Sequence, residues 1–335
     1  MKAAVTHDNG RSEVVDRAIP EVSEEGLVRI RLVATGICGT DRHIVHGDYP
    51  ADLPRVLGHE IVGRVDSLPN GSNLGLAVGV PVVVDPNIPC HACVYCRVGK
   101  VHLCTRRRAI GIDWDGGFQE YAVVPSSQVY RLNEDIPIEV GVLAEPLSCC
   151  IHGLDQLQTA PNDHVAIVGM GSIGVMMARL LQMYGIRDVT AFEVNENRRA
   201  AARDMGINTA EWDPARAEAD YAERFDAVID AVGSGRVVQW AETALRRSGR
   251  ILVFGVAHPE DQAAIHPYTL YAKELTIMSA NTNPFTMSRA VSVVNTQYRD
   301  LLPLLTDPVG LDGIPEALER PPKGFKTFLT LEEGR

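Results

Sequence analysis

The sequence has no long hydrophobic run, and aromatic residues make up only 6% of its 335 residues. Its longest uncharged apolar stretch, 165–178, contains three glycines and is too short to cross a bilayer. The first residues include no apolar segment of the signal-peptide type. We therefore expect a cytoplasmic protein without a membrane partner.

Basic residues are scarce as well. The 32 Lys and Arg residues stand against 43 Asp and Glu residues, which gives a net charge of −11. An acidic surface repels phosphate backbones and anionic lipid, so we do not expect nucleic acid or a membrane surface as a partner. The length favours two domains and is sufficient for a hydrophobic core without disulfide bonds.

Two patterns of secondary structure divide the chain. Residues 1–140 contain short Val- and Ile-rich runs interrupted by Gly and Pro, which predicts an antiparallel β-domain. From 141 to 279, short apolar runs such as Val189–Glu193 alternate with helical spacing, which predicts a parallel, doubly wound sheet. The tail, 280–335, contains a helix and a closing strand, and we expect it to pack back onto the first domain. The fold class is therefore α/β.

Four cysteines lie close together in a segment, 86–106, that we call the zinc lobe. Cys90, Cys93, Cys96 and Cys104 follow the spacing C-x2-C-x2-C-x7-C. Four thiolates suit a tetrahedral Zn²⁺ at about 2.3 Å per sulfur, and a closed site of this kind is structural. An iron–sulfur cluster or two disulfides are the alternatives, but an odd total of seven cysteines in a cytosolic chain favours a metal.

A glycine-rich turn begins the predicted doubly wound region. The segment 169–174, GMGSIG, follows the apolar run Val165–Val168 and precedes a helical pattern. This context favours a dinucleotide whose pyrophosphate lies at the helix N-terminus. Glu193 ends the next strand, where a carboxylate binds the ribose hydroxyls of NAD and repels the 2′-phosphate of NADP. Arg198 and Arg199 lie nearby and leave tolerance of NADP open.

Three separate patches contain residues of the kind that bind a catalytic metal. Cys38, His59 and the carboxylates Glu60 and Glu145 match the donor types of a zinc site that keeps an open position. Pro146 favours the first turn of a helix, which would place Glu145 at the N-cap. Spacing alone does not join these patches, and a single Cys or His is more often a core residue than a ligand.

Taken together, the motifs resemble the zinc-containing medium-chain alcohol dehydrogenase family, and within it the polyol, threonine and butanediol dehydrogenases. The resemblance covers nearly the whole chain in family order, through GICGTDRHI, VLGHEIVGRV, CHACVYCRVGKVHLC, AEPLSCCIHG, VGMGSIG, GRILVFGV and KELTIMSA. It implies a GroES-like, partly open β-barrel catalytic domain and a Rossmann NAD-binding domain. The active site is then expected in the cleft between them.

The resemblance also implies the reaction and the roles of residues. It implies two zinc ions per chain and hydride transfer between NAD(H) and a secondary alcohol or ketone. Cys38 and His59 would bind the catalytic zinc directly, with Glu60 and Glu145 completing the shell and the direct ligand among them left open. Thr40 would begin a proton relay that ends at His43, whose ordinary pKa of about 6.5 suits this role. Asp41 would orient the imidazole of His59.

Further expectations concern the cofactor, the substrate and the assembly. Trp114 and Phe118 fall in a loop that lines the substrate pocket in relatives, although Trp114 equally suits a core position. A polyol, sugar or (amino)cyclitol ranks first as substrate, and threonine or a vicinal diol second. Relatives join Rossmann sheets edge to edge, which implies a homodimer or homotetramer through 265–279. The cofactor-binding residues implied are Gly169, Gly171, Ser172, Ile173, Gly174, Glu193, Arg198, Val232, Phe254, Gly255, Val256, Asn281 and Thr282.

Two other functions compete with this interpretation. A zinc-free quinone or enone reductase of the same superfamily would lack Cys38, His59 and the four-cysteine cluster. A catalytically silent nucleotide-binding protein would be expected to lose metal ligands, and none is missing here. Cys149 and Cys150 match no ligand position and are interpreted as buried helix thiols.

Overall fold

The computed structural model describes residues 1–22, 24–69 and 75–331. Contacts divide the chain into two compact units, which are Met1–Ser148 with Asn283–Arg335 (unit 1) and Cys149–Thr282 (unit 2). The domain boundaries expected from the sequence, after residues 140 and 279, lie a few residues before the unit boundaries in the structure. The helix Ala144–Leu157 accounts for the first difference, because it begins in unit 1 and continues in unit 2.

The secondary structure alternates in the way the sequence indicates. The strands are β1 (Lys2–Thr6), β2 (Ser12–Asp16), β3 (Leu27–Gly36), β4 (Arg55–Val56), β5 (Glu60–Ser67), β6 (Pro81–Val84), β7 (Asn87–Ile88), β8 (Arg108–Ala109), β9 (Tyr121–Pro125), β10 (Val129–Arg131), β11 (Val165–Val168), β12 (Val189–Glu193), β13 (Thr209–Glu211), β14 (Phe225–Asp230), β15 (Leu245–Val253), β16 (Thr276–Ser279), β17 (Leu305–Val309) and β18 (Lys326–Thr330). The α-helices are α1 (Gly39–His46), α2 (Val94–Arg97), α3 (Ala144–Leu157), α4 (Ser172–Met183), α5 (Glu196–Asp204), α6 (Pro214–Asp220), α7 (Gly235–Ala244), α8 (Pro267–Lys273), α9 (Met287–Leu301) and α10 (Ile314–Glu319).

Unit 1 is built on a largely antiparallel sheet in the order β10-β6-β5-β3-β18-β17, with β9 pairing β3, and on a smaller sheet in the order β2-β1-β4. Alternate residues of β3 point inward, so Val28, Ile30 and Leu32 join one apolar core. The strand β18 comes from the tail of the chain and pairs antiparallel with β3. The tail therefore contributes a strand to the main sheet of unit 1.

Unit 2 is a six-stranded parallel sheet in the order β13-β12-β11-β14-β15-β16. All four residues of β11 are buried, as expected of a strand covered by helices on both faces. The order reverses between β11 and β14, and ligands bind at such a switch point, outside the carboxyl ends of the strands. The α/β class and the doubly wound architecture are confirmed. None of the helices in the described residues is both long enough and apolar enough to cross a membrane.

The loop after β14 is fixed by one buried carboxylate. Asp230 Oδ1 accepts the backbone N–H groups of Val232 and Gly233 at 3.0 and 2.9 Å, and Oδ2 accepts that of Ser234 at 3.0 Å. Burial raises the pKa of Asp230, although these three donors act in the opposite direction. The turn at the switch point is therefore held by three backbone donors that converge on one buried carboxylate.

Replacing Asp230 by Asn tests this arrangement. The amide keeps one acceptor oxygen but leaves a buried backbone donor without a partner, so we expect a loss of about 1–3 kcal/mol in the free energy of unfolding. Urea denaturation of the purified protein measures the effect. The exposed Asp220→Asn substitution is the control and should change stability by less than about 0.5 kcal/mol. Equal stability of the two variants would contradict the role given to Asp230.

Candidate functional site: two metal clusters and a nucleotide loop

One buried carboxylate, Asp41, holds the first metal cluster together. The helix α1 begins after Cys38, and Asp41 Oδ2 accepts the backbone N–H of Cys38 at 2.8 Å. The other oxygen accepts the N–H of Gly58 at 3.2 Å and lies 3.4 Å from Nδ1 of His59. Asp41 is fully buried. It therefore fixes the positions of Cys38 and His59 at the same time, which is consistent with the role expected for it.

The donor atoms of Cys38, His59 and Glu60 lie within 4.8 Å of one another. A thiolate, an imidazole and a carboxylate at this spacing fit a zinc ion with one open position. Burial opposes protonation of His59, but Asp41 and Cys38 together raise its pKa well above the ordinary value. The patches 36–43 and 58–60, which sequence spacing alone did not join, thus form one site in unit 1.

A buried lysine forms an ion pair with Glu60. Lys326 Nζ lies 2.5 Å from Oε1 of Glu60 and also contacts Oε2. Burial lowers the pKa of Lys326, but Glu60, Cys38 and Glu145 outweigh this effect and raise it. Gly36 makes room for the pair, because a Cβ there would overlap the carboxylate of Glu60. β3, β5 and β18 thus meet at this ion pair.

Glu145 lies in the first turn of α3, one residue inside the helix rather than at the predicted N-cap. The helix starts at Ala144 because a 3₁₀ turn, Ile138–Leu143, leads directly into it. Among the residues that the structure describes, Glu145 is outside the 4.8 Å cluster, yet its charge acts on Lys326. It is buried and therefore belongs to the surroundings of the site.

The two residues expected to form a proton relay lie on α1. The Cys38 thiol donates to Thr40 Oγ1 at 3.8 Å, and His43 is one helical turn further on. His43 Nδ1 lies 3.6 Å from Oδ2 of Asp48, and both side chains are about two-fifths exposed. Thr40 is therefore helical and not at the edge of a strand, and Thr40 and His43, three residues apart, lie on one face of α1 beside the partly exposed thiol of Cys38.

The four cysteines of the zinc lobe form the second cluster. Their sulfur atoms lie within 4.8 Å of one another, which fits a closed tetrahedral metal site. Backbone N–H donors lower the pKa of Cys93 to about 5 and that of Cys90 to about 7, whereas burial and the neighbouring thiols raise the pKa of Cys96 to about 12. Zinc binding at this cluster would therefore displace protons from part of the thiols. The four cysteines lie between β7 and β8 in the chain, and these two short strands pair antiparallel. His91 in this lobe is exposed, whereas His102 is half-buried.

The glycine-rich turn lies between β11 and α4 in unit 2. Gly169 has a φ of 99°, and a Cβ at Gly174 would overlap the carbonyl oxygen of Gly169, so the turn requires glycine at both positions. A Cβ at Gly171 would meet nothing within 4 Å. Ser172 and Ile173 open α4, whose first N–H groups face this space. The turn therefore fits the pyrophosphate of a dinucleotide.

Glu193 ends β12 beside this turn. Its two oxygens accept the backbone N–H groups of Met170 at 2.9 Å and Asn195 at 3.0 Å, and Arg198 Nη1 lies 3.9 Å away. Arg199 instead donates to the carboxylate of Glu196 and to the carbonyl oxygens of Glu193 and Val194. Because these acceptors occupy its guanidinium, Arg199 is not free to bind a phosphate, a role that the sequence alone left open. Arg198 is the arginine that remains near the ribose position.

The other expected cofactor residues follow the carboxyl ends of β14, β15 and β16. Val232 and Val256 are exposed, and Gly255 approaches the backbone of Gly233 so closely that a Cβ there would overlap it. This is the edge at which a doubly wound sheet binds a nucleotide. The expected cofactor residues that follow these strand ends are Val232, Phe254, Gly255, Val256, Asn281 and Thr282.

The structure also describes the surroundings of Phe118, Trp114 and the two adjacent cysteines. Phe118 is completely buried and packs against the Gly58 position, so it supports the site from within the core and offers a substrate no surface. Trp114 is half-buried against the barrel core, and the guanidinium of Arg108 lies 4.8 Å from its ring centroid. Cys150 is buried as expected, but Cys149 is partly exposed.

Comparison with known proteins matches two family models to successive parts of the chain. The Alcohol dehydrogenase GroES-like domain matches residues 24–134, and the Zinc-binding dehydrogenase domain matches residues 169–303. A solved zinc-binding dehydrogenase from Sinorhizobium meliloti 1021, bound to NADP, superposes with a TM-score of 0.93 at 30% identity, covering 98% of this chain and 99% of that one. The fold and the clusters therefore define a zinc-binding oxidoreductase that uses a nicotinamide nucleotide.

Two curated relatives indicate to which dehydrogenases within this class the chain is similar. D-altritol 5-dehydrogenase of Agrobacterium fabrum (strain C58) is 30% identical over 301 residues, which cover 88% of each chain. L-threonine 3-dehydrogenase of Deinococcus deserti is 30% identical over 335 residues, covering 96% of this chain and 94% of that one. The chain belongs to the zinc-containing medium-chain alcohol dehydrogenase family, in its polyol and threonine dehydrogenase branch. It is an enzyme of alcohol oxidoreduction, as predicted.

Sequence reasoning missed Lys326. The residue opens β18, the closing strand of the tail, and a lysine at the start of the apolar run KTFLT is unusual for a buried strand. That signal indicates a paired charge but does not identify the partner, which lies 266 positions away.

The ion pair predicts non-additive mutations. Glu60→Gln leaves the Lys326 ammonium buried without its partner, so we expect a loss of roughly 3 kcal/mol in unfolding free energy. Lys326→Met should likewise destabilise the protein, whereas the double variant Glu60→Gln/Lys326→Met should recover most of the loss. Urea denaturation of the three variants forms the double-mutant cycle. Strictly additive losses would contradict a buried pair, and zinc content measured in parallel shows whether metal is retained.

Proposed function

We propose that this chain is an NAD-dependent zinc dehydrogenase that oxidises a secondary hydroxyl of a polyol, sugar or (amino)cyclitol. The observation that supports this most directly is the cluster of Cys38, His59 and Glu60, in which His59 and Glu60 are buried and Cys38 is partly exposed. Cys38 and His59 would hold the catalytic zinc together with Glu60, and Glu145 would act from close by. Cys90, Cys93, Cys96 and Cys104 would hold the structural zinc.

The residues of unit 1 would prepare the substrate for oxidation. Zinc bound at this cluster would act as a Lewis acid that lowers the pKa of the substrate hydroxyl toward neutrality. Thr40, next to Cys38, would accept the proton that the hydroxyl loses. His43, one turn along α1 and partly exposed, would pass it to solvent, and Asp48 would stabilise the protonated imidazole. Asp41 would keep His59 oriented during turnover.

The residues of unit 2 would bind the nucleotide. The turn 169–174 would receive the pyrophosphate at the start of α4, and Glu193 would receive the adenosine ribose. A carboxylate at the end of β12 favours NAD over NADP. Arg198 is 3.9 Å from this carboxylate, and the solved relative from Sinorhizobium meliloti is bound to NADP, so both nucleotides belong in the assay.

The choice of substrate class rests on the donor set and on the relatives. Carboxylates around the metal suit a hydroxyl-rich substrate, and one relative acts on D-altritol. Threonine is the second candidate, because another relative of similar identity is an L-threonine 3-dehydrogenase. Vicinal diols complete the set to be tested.

The test is the appearance of reduced nicotinamide over a panel of polyols, sugars, inositols, aminocyclitols, vicinal diols and threonine, with NAD⁺ and NADP⁺ in parallel. We expect turnover of at least one polyol-type substrate with NAD⁺, and a loss of roughly 10³-fold or more in Cys38→Ser, because the metal loses its thiolate ligand. Cys149→Ser, in neither cluster, should retain activity. Full activity in a Cys38→Ser variant would refute the assigned site, and turnover of threonine alone would select the second substrate class.

The edge of the sheet in unit 2 suits self-association. The strand β16 is the last strand of the described sheet, and Ile277 is 42% exposed on it. On the adjacent α8, Tyr268 and Tyr271 are about four-fifths exposed. An exposed apolar edge of this kind favours pairing with a second copy. We therefore propose a homodimer through β16, with a homotetramer as the larger alternative.

Light scattering coupled to gel filtration tests this assembly. Ile277→Lys places a charge on the edge strand and should shift the molar mass toward that of the monomer. Ile19→Lys replaces an exposed isoleucine of unit 1 and should leave the mass unchanged. A monomeric wild type, or an unchanged mass in Ile277→Lys, would argue against the interface.

A further inference from the structure

A short buried loop carries His59 into the first metal cluster. Residues 56–59, which we call the metal loop, lead from β4 to β5 and end at His59. Val56 and Leu57 are completely inaccessible to solvent. Buried backbone N–H and C=O groups must find partners within the protein, so the course of the metal loop depends on the segments that supply these partners.

A second segment of unit 1, residues 115–118, runs against the metal loop. Three of its backbone N–H groups donate to three carbonyl oxygens of the metal loop. These bonds join Gly116 to Val56 at 2.7 Å, Gly117 to Gly58 at 2.8 Å and Phe118 to Leu57 at 3.0 Å. A Cβ at Gly116 would overlap the carbonyl oxygen of Gly58, so the two segments are in direct contact. A displacement of residues 115–118 is therefore passed to the metal loop.

Asp115 adds a side-chain bond to this contact. Its Oδ1 accepts the backbone N–H of Val56 at 3.1 Å, and its Oδ2 accepts Nη1 of Arg17 at 2.8 Å. Because Val56 is buried, its N–H needs an acceptor inside the protein, and Asp115 supplies one. The first residue of the metal loop is thereby held at its N–H by Asp115 and at its carbonyl oxygen by Gly116.

Hydrogen bonds, more than packing, orient the Asp115 carboxylate. The side chain is 33% exposed, and it lines a cavity of about 250 Å³ together with Arg17 and Gln119. The cavity leaves one side of the carboxylate without packed neighbours. Its position therefore depends on its two donors, the guanidinium of Arg17 and the backbone N–H of Val56.

We propose that Asp115 is a positioning residue of the first metal cluster, acting on His59 through the metal loop. Asp41 accepts the N–H of Gly58 at 3.2 Å, and Asp115 accepts that of Val56, so two carboxylates hold the loop just before His59. This role rests on the metal site proposed above. It goes beyond that site, because Asp115 is not part of the cluster of donor atoms found among the described residues.

Three variants separate this role from a general effect on folding. Asp115→Leu removes the acceptor of the Val56 N–H, whereas Asp115→Asn keeps an amide oxygen that can accept it. Asp66→Leu is the matched control, because Asp66 is also a partly exposed carboxylate of unit 1 that pairs with an arginine, Arg29. It lies near the opposite end of β5 from the metal loop. Groups that orient metal ligands typically contribute roughly 10- to 100-fold to metal affinity, so only Asp115→Leu should weaken metal binding.

Competition between the holoenzyme and a chromogenic zinc chelator measures this affinity without any substrate. The Cys38→Ser variant identifies the zinc of the first cluster, since it should lack that zinc and keep the zinc of the four-cysteine cluster. The dissociation constant of the Cys38-dependent zinc should rise about 10-fold in Asp115→Leu and stay within about threefold of wild type in Asp115→Asn and Asp66→Leu. The absorption spectrum of Co²⁺ exchanged into the same position should change only in Asp115→Leu, because this spectrum follows the geometry of the ligands.

An Asp115→Leu variant that matches Asp66→Leu in zinc affinity and in the Co²⁺ spectrum would overturn the proposal. A loss in Asp115→Asn as large as that in Asp115→Leu would also overturn it, because the amide keeps the acceptor. Equal weakening of the four-cysteine zinc in Asp115→Leu would assign the effect to general damage of unit 1, with the same consequence. A wild type without Cys38-dependent zinc would instead remove the metal site itself, and with it both the proposed function and this role of Asp115.

Discussion

Burial of charge is the constraint on which the metal site depends. Lys326 and Glu60 are both almost inaccessible, and neither charge is tolerable in the core without the other. Their pairing requires β5 and β18 to flank β3, with Gly36 opposite Glu60 in the register of the sheet. The tail of the chain must therefore return to the first domain before the site exists. The Lys326–Glu60 ion pair therefore positions both the strand β18 and the candidate metal ligand Glu60.

Buried carboxylates organise both units by the same physical means. Asp41 accepts N–H groups from two segments that sequence separates, and so brings Cys38 next to His59. In unit 2, Asp230 fixes the turn after β14, and Glu193 joins the turn after β11 to the start of α5. A carboxylate satisfied by backbone donors holds loops rigidly, since every donor it releases would be left buried and unpaired. The loops expected to bind the metal and the nucleotide are thus each fixed by a buried carboxylate.

Much of this was predictable from local spacing. The four-cysteine cluster and the glycine turn lie within short segments, so their geometry follows from turns that the sequence itself encodes, and the strand Val189–Glu193 was predicted to the residue. Pairings across long separations were not predictable, as with Lys326 and Glu60. Phe118 shows a different limit, because a phenylalanine beside a site fits a pocket wall and a core equally well until its accessible surface is known. The partner of the Arg199 guanidinium is likewise Glu196, one helical turn away, and not the nucleotide that the sequence left open.

The charges around the first cluster also explain why a lysine belongs there. Cys38 as thiolate, Asp41, Glu60 and Glu145 would together carry four negative charges. Lys326 reduces the sum to three, of which a divalent cation would neutralise two. Without the ammonium the anionic donors would repel one another in a region of low dielectric, and the protein would favour protonated, metal-free side chains. Lys326 therefore lowers the negative charge of the site while holding Glu60 in place. A hydroxyl bound to a metal here would meet less negative charge than it would without the ammonium, which would favour its deprotonation.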